Sequence, residues 1–157
     1  MKIILLAVGA TTDKDLSEMI ARYVKRIGFY APFEMRELRD VRTTKAMTAD
    51  KQKELEGERI MANIKPGDHV VLLDERGKML TSREFANTID RHMVTLQRDL
   101  IFVIGGPYGF SPDVYARANS QLSLSRMTFS HEMVRLFFTE QIYRAFTILR
   151  GEPYHHD

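Results

Sequence analysis

Apolar positions in this chain fall into two patterns that alternate along its length. Lys2-Ile-Ile-Leu-Leu-Ala-Val8, Val70-Val-Leu-Leu73 and Leu100-Ile-Phe-Val-Ile104 are short apolar runs, as expected of strands covered on both faces. Between them, apolar residues recur every three or four positions. Leu16, Met19, Ile20, Tyr23, Val24 and Ile27 lie on one face of a helix predicted from Asp15 to Ile27, since that spacing matches the helical repeat. Phe33 to Leu38 alternates apolar and charged residues and predicts an edge-like strand; after a basic loop, a polar helix is expected from about Thr48 to Asn63. Pro66-Gly67 marks a turn. Gly77 is placed in a loop after the strand ending at Leu73, and Ser82 is predicted to cap a helix running to about Met93. Ser111-Pro112 reads as an N-cap with proline at the first helical position, opening a short helix to about Ala118. Leu122 to Leu124 is the last predicted strand. The last helix is expected from about His131 to Leu149, stopped by Gly151 and Pro153.

Strands that alternate with helices, and that are apolar throughout, predict an α/β domain on a mostly parallel sheet. With no repeat, linker or low-complexity stretch, residues 1–157 form one domain. Val134, Phe137, Phe138, Ile142, Ala145 and Leu149 cover one side of the last helix, and Met133, Leu136, Tyr143, Phe146 and Ile148 widen it. A helix this broadly apolar is buried on more than one side, so a homodimer through this helix is expected ahead of the alternative, a central core helix of a single chain.

Composition narrows the class without naming a function. The chain is 44% hydrophobic and 28% charged, which excludes a disordered or membrane-embedded protein. The run Ile3–Val8 is too short for a signal-peptide core, and the absence of cysteine excludes disulfides and fits a reducing cytoplasm. Net charge is only +2. The stretch from Arg36 to Lys53, however, holds six basic residues (Arg36, Arg39, Arg42, Lys45, Lys51, Lys53) against the acidic Glu37, Asp40 and Asp50. Such a stretch is usually a solvated face; the alternative is a local phosphate-contacting patch, and composition leaves the two open.

In open parallel sheets, ligands bind beyond the carboxyl ends of the strands. That places Leu73, the loop Gly105-Gly106-Pro107-Tyr108-Gly109 and the stretch Ser123–His131 at the candidate pocket. The loop lacks the lysine and hydroxyl of a P-loop, and no G-x-G-x-x-G surrounds Gly9, so triphosphates, nicotinamides and flavins are disfavoured. A cofactor held by backbone groups, without pyrophosphate, fits better. Other pairs read blandly. His131 and Arg135 are four apart on one helix face, Glu140 with Arg144 reads as a surface ion pair, and His155-His156-Asp157 reads as a frayed end. No metal site is expected.

Several segments in order carry a resemblance: Met1-Lys-Ile-Ile-Leu-Leu-Ala-Val-Gly9, Leu72-Leu-Asp74 with Gly77-Lys78, Phe102-Val-Ile-Gly-Gly-Pro-Tyr-Gly109, Leu122-Ser-Leu-Ser-Arg-Met-Thr-Phe129, and Glu140-Gln-Ile-Tyr-Arg-Ala-Phe146 with Gly151-Glu-Pro-Tyr-His155. Over essentially its whole length the chain resembles the RlmH family of SPOUT methyltransferases. The resemblance implies an α/β fold with a deep C-terminal trefoil knot, a homodimer, and S-adenosylmethionine as cofactor. It implies methylation at N3 of a pseudouridine in 23S ribosomal RNA of the ribosome. Leu73, Gly105, Leu124, Ser125, Arg126, Met127, Thr128 and Phe129 would hold the cofactor. His131, Arg144, Tyr154 and His155 would lie near the RNA or the reacting base. In one departure, Ser130 stands where many relatives have proline. The rival expectations are a SPOUT methyltransferase acting on another RNA, a ribosome-associated RNA-binding protein without catalysis, and a flavodoxin-like small-molecule binder.

Overall fold

The structure is a computed structural model and describes residues 1–157. The elements run β1 (Ile3–Val8), α1 (Lys14–Ile27), β2 (Phe33–Leu38), α2 (Ala49–Ala62), β3 (His69–Met79), α3 (Ser82–Thr95), β4 (Leu100–Ile104), α4 (Pro112–Arg117), β5 (Ser120–Ser123) and α5 (Met133–Leu149). The five strands form one sheet in the order β2-β1-β4-β3-β5, and every strand pairing is parallel. The strands that read as continuous apolar runs hold the interior: every residue of β1 and β4 is buried. The alternating strand β2 lies at an edge.

Helices cover both faces, because a twofold side-chain repeat sends successive residues to opposite sides. Ile3, Leu5, Ala7, Leu100, Phe102 and Ile104 point to one face, where they pack with Phe85 and Ile89 of α3 and Phe138, Ile142 and Ala145 of α5. Ile4, Leu6, Val8, Ile101 and Val103 point to the other, against Ile60 of α2 and Val114 of α4. Leu16 and Ile20 of α1 meet Leu136 of α5, so α5 lies between α1 and α3.

Four boundaries differ from expectation. Strand β3 does not end at Leu73, and Gly77 is not in a loop beyond it. The strand continues to Met79 past a bulge at which both Leu73 and Lys78 register with Leu122. Gly77 is required there, because a Cβ would lie 2.6 Å from the Leu122 amide nitrogen. The cap of α3 is Thr81 rather than Ser82, for Thr81 and Glu84 exchange both bonds of a capping box, satisfying two backbone donors at once. Strand β5 is Ser120–Ser123, which frees Leu124 for the segment that follows. Helix α5 begins at Met133, leaving His131 ahead of it. The predicted Ser111 cap with Pro112 is present, with Ser111 accepting from the Val114 amide.

Candidate active site

A cleft of ≈ 760 Å³ opens where β3, β4 and β5 end. Of the residues implicated from sequence, Leu73, Gly105, Leu124, Ser125, Met127, Thr128 and Phe129 line it together, with His131 beside them. Arg126 does not line it and points into solvent. No backbone N–H or C=O from Leu124 to Phe129 pairs with another backbone group. Side chains satisfy only a few: Ser123 donates to the Ser125 carbonyl at 3.0 Å, and the Met127 amide donates to Ser125 Oγ at 2.9 Å. The segment thus lays unpaired backbone along the cleft wall. Ser130 ends it as a local cap, its Oγ accepting from the Met133 amide at 3.0 Å.

The opposite wall is the glycine loop. A Cβ on Gly105 would lie 2.9 Å from the ring of buried Phe110, and one on Gly106 would lie 2.2 Å from the Glu56 carboxylate. Gly109 has φ +83°, a conformation side chains disfavour. Glu56 is itself buried on α2 and accepts from Gln52 Nε2 at 2.9 Å. The loop therefore rests directly on α2.

At the cleft rim, Tyr115 donates a short hydrogen bond to Asp74, the Arg76 amide donates to Asp74 at 2.9 Å, and Arg76 Nη2 donates to the Tyr115 hydroxyl at 2.7 Å. Burial would raise the Asp74 carboxyl, but the bonds from Tyr115 and Arg76 outweigh it and hold the group below the usual carboxylate range. Burial and the Asp74 contact raise the Tyr115 hydroxyl. Lys53 of α2 completes this rim.

A second cluster lies outside the cleft lining, and a smaller cavity connects its Glu140 with Leu124 and Phe129 of the cleft wall. Arg144 donates to Glu140 at 2.5 Å and contacts His155 Nδ1 at 3.2 Å, and its guanidinium lies 4.9 Å from the centre of the Tyr154 ring. Tyr154 donates to Glu140 at 3.0 Å, and burial together with its Tyr23 and Glu140 contacts raises its hydroxyl. Guanidinium only donates, so Nδ1 of His155 carries the lone pair and Nε2–H points to Asp157, 2.8 Å away. His155 and Arg83 in turn hold the Asp157 carboxyl low. Two expectations are corrected here. The Glu140–Arg144 pair is not a surface pair, since its side chains are only 18% and 24% exposed, and the C-terminal end is not frayed, because His155 and Asp157 tie it to Arg144 and Arg83.

Neither Arg144, Tyr154 nor His155 lines the cleft. His131 and Arg135 do not share a face: His131 is exposed, while Arg135 is fully buried. The basic stretch is divided, with Arg36 paired to Glu34 on the edge strand and Lys53 at the cleft. No group of three metal-ligating side chains occurs.

A family model described as "Predicted SPOUT methyltransferase" matches residues 1–155. The chain belongs to the SPOUT methyltransferases. It is 50% identical over 157 residues, covering 100% of both chains, to a Porphyromonas gingivalis protein named "Ribosomal RNA large subunit methyltransferase H". A Christiangramia forsetii protein of the same name is 53% identical over 156 residues, covering 99% of each. Among solved structures, a probable methylase family protein from Haemophilus influenzae shares the fold, with a TM-score of 0.50 at 12% identity over 95% of this chain and 66% of that one.

Sequence reasoning about this SPOUT methyltransferase missed Asp74, Arg76, Tyr115 and Glu56. Asp74 was within reach, as the first polar residue after a buried run at a strand's carboxyl end. Tyr115 and Glu56 arrive from other helices, and no local spacing announces them. No helix of the SPOUT chain is long and apolar enough to cross a membrane.

Proposed function

We propose that this methyltransferase moves a methyl group from S-adenosylmethionine to N3 of a pseudouridine in 23S ribosomal RNA of the assembled ribosome, as a cytoplasmic homodimer. The observation that carries this reading is the cleft at the ends of β3, β4 and β5, walled by unpaired backbone from Leu124 to Phe129. The full-length relatives at about half identity, named as large-subunit ribosomal RNA methyltransferases, support the substrate.

The residues present suit that cofactor. The cleft volume lies in the range of small-molecule sites, and Leu73, Ile104, Leu122 and Leu124 offer apolar walls to an adenine. The free backbone groups of Leu124–Phe129 supply its hydrogen bonds. Gly105 and Gly106 let the opposite wall approach. When bound, the cofactor supplies a methyl group on a sulfonium, which leaves no base chemistry to the donor itself.

The chain's own residues must then position the RNA base, exclude water and handle the N3 proton. Arg144 stabilises the negative charge that develops as that proton departs. His155 accepts it at Nδ1 once Arg144 turns the N–H that now occupies this lone pair toward the base, while Asp157 holds the ring by Nε2. Tyr154, locked between Glu140 and Tyr23, positions Arg144. His131 reaches the base from the cleft side.

Two half-sites on one chain argue for a dimer. Phe129 and Phe137 pack with ring centres 5.1 Å apart and planes tilted by 57°. With exposed Met127 and Met133 they make an apolar strip between the cleft segment and α5. A second copy covering that strip would set one chain's Arg144 cluster against the other's cleft. The knotted passage belongs to the same reading; the return of the chain from α4 to β5 beside β3, followed by the cleft segment, supports it.

The test is transfer of tritium from labelled S-adenosylmethionine to ribosomes from cells lacking this activity. Label on a single large-subunit pseudouridine is expected. No label, with cofactor binding intact by calorimetry, would move the substrate elsewhere. No cofactor binding would favour a non-catalytic ribosome-binding protein.

A further inference from the structure

Beside the cleft lies a second, shallower groove of ≈ 400 Å³ along the free edge of β5. Its lining includes Arg76, Lys78, Asn119, Ser120 and Gln121, and no carboxylate. In the chain as a whole, acidic and basic residues nearly balance, at 21 and 23. Arg76 and Tyr115 line both spaces, so the groove runs into the cleft.

The cation at this junction is held in place. Arg76 donates to the Tyr115 hydroxyl at 2.7 Å, its guanidinium lies 5.6 Å from the centre of the Tyr115 ring, and Tyr115 is anchored in turn to Asp74. Its Nε also pairs with Asp74 Oδ1 at 3.5 Å, which offsets part of its charge, yet the Arg76 side chain remains 73% exposed. A guanidinium held by Asp74 and Tyr115 loses little entropy when it takes a phosphate on the N–H groups those partners leave free. Asn119 has its side-chain oxygen committed to the Val70 amide at 2.8 Å, which leaves its NH2 group as donor only. Gly77 is pressed on the backbone of Gln121 and Leu122, so the bulge that carries Arg76 and Lys78 is rigid.

We propose that this groove is the track for the single-stranded RNA backbone next to the modified nucleotide, with Arg76 as the phosphate anchor at the cleft entrance and Lys78 as a second contact. The proposal rests on the ribosomal RNA reading above and names the path by which the RNA reaches the site. The occupant is a phosphodiester chain because the lining is donor-rich, positively charged and open, whereas the cofactor site is apolar-walled. Phosphate contacts position a strand without reading its sequence, which suits a groove lined by small polar side chains.

The experiment measures binding to large ribosomal subunits at several salt concentrations, alongside methyl transfer and cofactor calorimetry, for Lys78→Ala, Arg76→Ala and the double variant. Each lost phosphate contact lowers the salt slope by about 0.7–0.9. The double variant is expected to bind subunits about tenfold more weakly at moderate salt, with a slope lower by about 1.5, and Lys78→Ala, outside the cleft lining, to keep its cofactor affinity. Arg76→Lys should recover part of the loss, and Tyr115→Phe, which frees Arg76, should fall between. Unchanged subunit binding and slope in the double variant would overturn the track. So would a matching loss of cofactor affinity, which would assign Arg76 to the cofactor instead. Because wild-type binding is read separately from methyl transfer, failure of the ribosomal RNA reading shows as a wild type that neither binds nor labels subunits. Failure of the groove shows as a wild type that binds and a double variant that binds equally well.

Discussion

Arg135 Nη1 donates to the carbonyl of Gly9 across 2.8 Å, joining the start of α5 to the carboxyl end of β1. The same guanidinium reaches the Val8 carbonyl at 2.9 Å, Thr11 Oγ1 at 2.9 Å and the His131 carbonyl at 3.2 Å. Beside it, the Glu132 carboxylate accepts from the Thr12 amide at 2.6 Å and the Thr12 hydroxyl at 2.8 Å. The two side chains clamp the β1–α1 loop to the segment that carries His131. Arg135 is fully buried and makes its direct bonds to carbonyl and hydroxyl oxygens rather than to a carboxylate, so removing it strands several carbonyl oxygens. Arg135→Ala is expected to cost about 3 kcal/mol of stability, since each buried acceptor left unpaired costs about 1–3 kcal/mol. Arg135→Lys should recover only part, because one ammonium cannot reach all of these oxygens. Urea denaturation checks both, and a loss within 0.5 kcal/mol of wild type would show that the clamp carries no stability.

The glycine loop offers a sharper substitution test. Gly106→Ala sets a methyl 2.2 Å from Glu56 Oε2, so one of the two must move. Loss of cofactor affinity by about tenfold or more is expected by calorimetry. Glu56→Ala in the same chain removes the obstacle and should return much of that affinity. If the double variant binds no better than Gly106→Ala alone, the loop does not rest on α2 in the way described. Gly105→Val is less informative, because its Cβ meets the ring of buried Phe110 at 2.9 Å and the core is disturbed along with the pocket.

The contrast between these two sites marks how far the sequence could be read. The all-apolar runs of β1 and β4 could be nothing but buried strands, and the Ser111-Pro112 cap is a local signal with one meaning. Residues 74–79 are polar and contain Gly77, so period-based reading stopped β3 at Leu73. The bulge pairing that extends it is made with Leu122, far away in sequence. Strand order and the burial of Arg135 are equally non-local. The proposed cofactor residues from Leu124 to Phe129 have no period or cap of their own; the strand-end rule put the stretch Ser123–His131 at the pocket, and the family resemblance gave the individual residues their role. Arg144 and His155 carried local readings, an exposed pair and a loose end, that contacts with Tyr154, Asp157 and Arg83 reverse.

His69 and His92 stand with ring centres 4.5 Å apart at the amino end of β3 and the last turn of α3. Burial lowers both from the ordinary imidazole value, helped by Arg117 at His69 and by His69 and Arg91 at His92. With the folded value depressed, the unfolded chain binds more protons as pH falls through about 6.5, so stability declines below that point. Above it, both states hold neutral rings and the pair adds no pH dependence. Thermal denaturation between pH 7.5 and 5.5 should show a falling midpoint that His92→Gln flattens. An equal slope in that variant would remove the pair from the pH response.

The last prediction separates one shared site from two independent ones. Arg144→Ala should lower turnover by about a hundredfold, the scale of losing one charge-stabilising group. Cofactor affinity should hold, because Arg144 does not line the cleft. Gly106→Ala has the opposite defect, a damaged cleft with the Arg144 cluster intact. If each active site takes its cleft from one protomer and its Arg144 from the other, heterodimers of the two variants contain one site with both parts sound. Mixing the two impaired proteins, at a cofactor concentration too low to fill the Gly106→Ala cleft, and allowing subunits to exchange should then restore up to about a quarter of wild-type activity: half the dimers are mixed, and each holds one good site of two. Phe137→Glu, placing a charge on the exposed apolar strip of α5, should abolish both dimerisation and this complementation while leaving the monomer folded. A mixture no more active than its parts, with exchange verified by mass, would mean that each chain builds its site alone. Arg144 would then have to reach its own cleft, across a separation that a change in α5 or the C-terminal residues would need to close.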